Sequence, residues 1–169
     1  MTRFGFGYEP VIDMPRLAVL LIAGTLSLPP ALARQEAPWL GTWTLDPQES
    51  TPEPGGSPYA RVVFSIEPRE GGLKVVYDMV GTRGGRTHLE WTGAFDGRDY
   101  PVQGVDYVLT NAYTLIDADS WRIVVKVDGQ AAATTTASVS PDGKILTAVT
   151  SETTADGATL TRTRVYDRQ

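Results

Sequence analysis

From residue 39 onward, apolar and polar positions alternate with a period of two. Val62, Phe64 and Ile66 are interleaved with Arg61, Ser65 and Glu67, and Leu73, Val75, Tyr77 and Met79 with Lys74 and Asp78. Leu89, Trp91 and Phe95 alternate with His88, Glu90 and Thr92; Trp121, Ile123, Val125 and Val127 alternate with Arg122 and Lys126. One apolar and one polar face per segment is the pattern of half-buried antiparallel strands, and helical periodicity is nearly absent after Ala33. Turn residues punctuate the runs, including Asp-Gly pairs at 96, 128, 142 and 156, which supply the positive φ of tight hairpins. The pattern predicts strands near 39–45, 60–67, 73–80, 86–95, 105–115, 121–127, 130–139, 144–152 and 159–167.

No crossover helix separates these segments, so neighbours in sequence should pair in an up-and-down meander. A meander this long with one apolar face has exposed edges unless it closes. The expected fold is therefore all-β: an antiparallel β-barrel of about 8–10 strands, with a two-sheet β-sandwich as the alternative. Two stretches are unusual. Residues 131–137 (AAATTTA) are small on both faces and suggest a weak edge strand or a thin wall. Residues 46–58 carry four prolines and two glycines in thirteen positions, which precludes a helix and predicts an extended loop across one barrel end.

The N-terminus reads as an address. Arg16 precedes twelve uncharged residues, 17–28, then Pro29 and Pro30, then Ala31-Leu32-Ala33 as an A-x-A cleavage site. Twelve residues of helix cover about 18 Å against a hydrocarbon core of about 30 Å, too short to span. Met1–Ala33 is thus expected to be a signal peptide, with Met14 an alternative start, and Arg34–Gln169 an exported domain, periplasmic or secreted. No membrane span is expected after cleavage.

Composition removes several chemistries. With no cysteine there is no disulfide, thiol nucleophile or thiolate metal site, and the single histidine excludes any site that needs two. A net charge of −5 gives no footprint for nucleic acid. Nothing in the chain implies a cofactor, and its oligomeric state is not written there.

The two ends of this domain carry a resemblance. Trp39-Leu40-Gly41-Thr42-Trp43 resembles the Gly-x-Trp first strand of the calycins, the lipocalins and fatty-acid-binding proteins. Arg164-Val165-Tyr166 is similar to the last strand of fatty-acid-binding proteins, whose Arg-x-Tyr pair holds a ligand carboxylate. The chain departs from that family in its Pro-rich 46–58 segment, where fatty-acid-binding proteins insert a helical pair, and in its export signal. It departs from secreted lipocalins in having no cysteine. The resemblance implies a lipocalin-like barrel around a small apolar or carboxylate-bearing ligand.

Arg164 then has two candidate roles. A guanidinium stacked on Trp43, next to Gly41, would close the barrel base, with Arg162 as the alternative. An Arg164–Tyr166 pair on one strand face would instead clamp a carboxylate. Phe64, Tyr77, Met79, Trp91 and Tyr107 are the expected ligand lining, with Ile66, Val75 and Leu89 beside them. The competing class is a structural or interaction barrel whose core these side chains fill. Catalytic candidates are thin. His88 and Glu90 share a strand face, but its parity is that of solvent, and Asp96, Asp99 and Asp106 fall among turn residues. The expected function is non-catalytic.

Overall fold

The computed structural model describes residues 37–52, 57–154 and 157–169. The expected signal segment lies outside the described residues, as do the middle of the Pro-rich connection and Ala155-Asp156. Ten strands run in chain order: β1 (Gly41–Asp46), β2 (Tyr59–Arg69), β3 (Gly72–Gly81), β4 (Arg86–Gly93) and β5 (Asp96–Gln103), then β6 (Leu109–Leu115), β7 (Ser120–Val127), β8 (Gln130–Val139), β9 (Ile145–Thr153) and β10 (Thr159–Arg168). Each pairs antiparallel with its neighbours in sequence, and β10 returns to β1, so the sheet closes into an up-and-down barrel. Closure excludes the sandwich and leaves no edge strand. The small-residue segment forms β8, which is paired on both sides, with β7 and β9, and so is not an edge.

The alternation in the sequence maps directly onto the wall. Val62, Phe64, Ile66, Val75 and Trp91 are buried inside, while His88 and Arg122 are exposed. Asp78 and His88 face each other on the outside in cross-strand register, 2.8 Å apart, and His88 also contacts Glu90 at 3.2 Å. Glu90 in turn accepts from Lys74 at 2.9 Å. The pairing with Asp78 and Glu90 raises the imidazole pKa above its ordinary 6.5, and the bonds from Lys74 and His88 lower that of Glu90. These two residues therefore form a surface ladder on the solvent face.

One strand departs from the expected map. Residues 96–103 form β5, where the sequence reads as a turn flanked by polar residues and interrupted by Pro101. The β4–β5 register covers only Glu90↔Gln103 and Trp91↔Val102, whereas β5 pairs β6 at Asp99, Tyr100 and Pro101. Pro101 thus sits where no β4 partner is in register, the edge-like position its missing N–H requires. The following residues, 104–108, are loop rather than strand. Gly104 has φ +101°, and a Cβ there would lie 2.1 Å from the His88 carbonyl oxygen.

The described part of the Pro-rich connection is held against β10. Thr51 donates its N–H to the Thr163 carbonyl at 2.8 Å and accepts the Thr163 N–H on Oγ1 at 3.0 Å. Ser50 Oγ accepts the Val165 N–H at 3.0 Å. The chain therefore continues along β10 where β1 ends.

Candidate ligand-binding site

The barrel interior divides into a packed base and a cavity. At the base, Trp43 is fully buried and donates Nε1–H to the Trp39 carbonyl at 3.0 Å. Trp39 meets Phe95 and Trp121 edge to face, with ring centroids 5.5 and 5.9 Å away.

The guanidinium over Trp43 is that of Arg168, 4.3 Å from the ring centroid. Arg168 also donates to the carbonyls of Leu40 (2.6 Å), Gly143 (2.5 Å) and Pro38. A cation on an indole that also satisfies three carbonyls is the closure device expected at this end. The residue expected to supply it, Arg164, does not. The reason is register: β1 pairs β10 as Trp43↔Arg168 and Leu45↔Tyr166, so placing Arg164 opposite Trp43 would require a slip of four residues. Arg162 is also elsewhere, in an ion pair with Glu152. The register explains Gly41 as well. It has φ +128°, and a Cβ would stand 2.7 Å from Arg168 Nη1.

Above the base lies a cavity of about 270 Å³. Its lining includes Phe64, Tyr77, Met79 and Trp91 as expected, together with Arg164 and Tyr166. Tyr107 is not part of it. It lies in the 104–108 loop, 50% exposed, because that segment is not the inward-facing strand its alternation suggested. The sequence reading missed Asn111, Tyr113, Trp121 and the Thr135/Thr150 pair, all on the lining. Asn111, Tyr113 and Trp121 follow the inward parity of β6 and β7, and Thr135 and Thr150 that of β8 and β9, but two-residue alternation marks apolar residues more readily than inward polar ones.

Four polar residues converge in this space. Arg164 lies beside the Tyr166 phenol, and the Tyr77 and Tyr113 phenols lie beside each other, near enough for each pair to influence its partner's titration. Burial pushes all three phenols above 10, most plainly at Tyr77, while Arg164 pulls Tyr166 and Tyr77 the other way. At neutral pH the phenols are therefore neutral hydrogen-bonding groups, and among the described residues Arg164 is the one basic residue on the lining. Glu90 reaches the lining too, but its carboxylate is engaged outside by Lys74 and His88. Aromatic contacts hold the set rigid: Phe64 stacks on Tyr77 at 5.0 Å and meets Tyr166 edge-on at 4.9 Å, and Trp91 stacks on Tyr113 at 4.0 Å.

The acidic residues near β5 have local partners. Asp96 accepts from the Arg98 N–H (3.0 Å) and the Tyr100 hydroxyl (2.9 Å), and Asp99 pairs with Lys126 at 2.7 Å. Among the described residues, no group of three or more His, Asp or Glu side chains is placed to hold a metal ion. What the interior offers chemically is an apolar volume with one cation and several neutral hydrogen-bonding groups. Compared with known proteins, the chain matches no family model and no curated sequence.

Proposed function

We propose that the barrel is a non-catalytic binding domain for a small amphiphilic anion, with its apolar body in the cavity and its carboxylate on Arg164 beside Tyr166. The observation that carries this reading is the division between the two arginines. Arg168, not Arg164, stands over Trp43, and Arg164 lines the cavity as its one basic group among the described residues. A guanidinium facing an apolar, partly desolvated space favours an anion more strongly than it would in water. The similarity of Arg164-Val165-Tyr166 to the carboxylate-holding pair of fatty-acid-binding proteins supports the same reading, as does the Gly-x-Trp start for a calycin-like barrel.

The volume favours a compact ligand. About 270 Å³ lies just below the ~300–1,000 Å³ usual for ligand pockets. That modest size also supports the second reading, a structural barrel whose aromatic side chains nearly fill it. Titration of decanoate into the protein, followed by calorimetry, separates the two: the binding reading expects saturable 1:1 uptake and the filled core expects none.

The expected signal segment supports a location outside the cytoplasm for this binding domain. Intact-mass analysis of the protein recovered from its host is expected to give an N-terminus at or within a few residues of Arg34, and a product retaining residues 17–28 would contradict export with cleavage.

A further inference from the structure

Asn111 lies on the inward face of β6 between Leu109 and Tyr113, and all three line the cavity. Its Oδ1 is buried and has no hydrogen-bond partner. Its backbone carbonyl is occupied, accepting Trp91 Nε1–H at 3.1 Å, so the carboxamide is held beside a rigid stacked pair, Trp91 and Tyr113. The other unpartnered polar atom on the lining, Trp121 Nε1, belongs to a ring engaged in the aromatic base. Thr135 and Thr150 bond each other at 2.8 Å, and no other side-chain N or O on the described lining is both fully buried and unpartnered.

A buried carbonyl oxygen without a donor is costly, and protein interiors rarely retain one. A leucine of similar volume would complete the apolar pattern at this position with no such cost. An asparagine here suits a cavity whose occupant brings a hydrogen. The sheet register places it apart from the cation. Following cross-strand partners from Asn111 leads through Val125, Ala133 and Glu152 to Leu160, two inward positions along β10 from Arg164.

We propose that Asn111 is a specificity determinant for the ligand, accepting a hydrogen bond from a hydroxyl or N–H borne on its apolar body, so that the natural ligand class is a hydroxylated or similarly donor-bearing small acid. This inference rests on the anion-binding reading of the same cavity. Arg164 sets the charge and Asn111 selects among acids of equal charge. A site built around a hydrogen-bond partner discriminates against an analogue that lacks it, because the site's own polar group is then left unpaired.

The test uses four probes of one chain length: decanoate and its 3-hydroxy, 6-hydroxy and 10-hydroxy forms, titrated into the full domain. At least one hydroxy acid is expected to bind about tenfold or more tightly than decanoate. In Asn111→Leu that preference is expected to fall to within about twofold. The inference is overturned if decanoate binds the native protein as tightly as all three hydroxy acids, or if Asn111→Leu retains the preference. Asn111→Ala serves the same comparison should the leucine variant not fold, and the native protein's ranking of the four acids stands without either. Binding that depends on Arg164 but ignores the hydroxyl defeats this inference alone; no binding of any acid defeats the anion-binding reading beneath it.

Discussion

Arg164 and Arg168 stand on the same face of the same strand, two inward positions apart, and have different surroundings. Arg168 meets an indole and three main-chain carbonyls, the contacts of a structural residue. Arg164 lines the cavity, with the Tyr166 phenol among its neighbours. Residue type does not distinguish them and strand parity does not either. The register of β10 against β1 does, because it decides which guanidinium lies over Trp43. A charged residue in a barrel interior therefore needs its cross-strand partner before it can be given a role.

The sharpest way to test the base is to remove its centre. Trp43 is fully buried and its indole N–H is hydrogen-bonded, so Trp43→Ala is expected to cost about 3–5 kcal/mol in reversible denaturant unfolding. A loss below about 1 kcal/mol would mean that the base is not a packed unit.

The two arginines should then separate in stability. Arg168→Met retains the hydrocarbon stem but strips the donors from Leu40, Gly143 and Pro38, with an expected cost of about 2–3 kcal/mol. Arg164→Met removes a cavity-lining charge that does not stand over Trp43 and is expected to cost less stability than Arg168→Met. Urea titrations of both variants check this. Equal costs, or a larger one at Arg164, would break the distinction.

The smallest expected effect lies on the outer wall. His88 has its pKa raised in the folded protein, first by Asp78 and then by Glu90, so the protonated form is favoured by folding. Its contribution is complete below the unfolded value near 6.5 and is lost as pH rises through the higher folded value. Stability should therefore decline slightly across that window, and His88→Gln should flatten the decline. Because it is the only histidine, its imidazole titration by NMR needs no assignment, and a midpoint at or below 6.5 would contradict the ladder.

Much of the barrel was legible in the alternation of the sequence, for a physical reason: every strand separates an apolar interior from water, so β2, β3, β4 and β7 show their inward faces plainly. β5 was not legible. Asp96-Gly97 has turn chemistry and Pro101 breaks the ladder, and only the neighbouring β6 explains why such a segment pairs. The cavity was half legible. Phe64, Tyr77, Met79 and Trp91 followed from parity, and Arg164 with Tyr166 from their spacing. Asn111 did not, because an inward polar residue breaks the very pattern that reveals the strand. Tyr107 failed for the opposite reason, an aromatic in a loop that imitates a strand. The choice between Arg164 and Arg168 was beyond reach, since register depends on where β1 begins and on the turn that ends it.

The central claim is that the cavity arginine binds an anion and the base arginine does not need to. Calorimetric titration of decanoate into the native protein and into Arg164→Met, with unfolding midpoints measured on the same samples, tests it most directly. Saturable binding to the native protein is expected, with at least a tenfold weaker affinity, about 1.4 kcal/mol, in the variant and a smaller loss of stability than in Arg168→Met. Absence of binding to the native protein, or equal affinity in Arg164→Met, would contradict it.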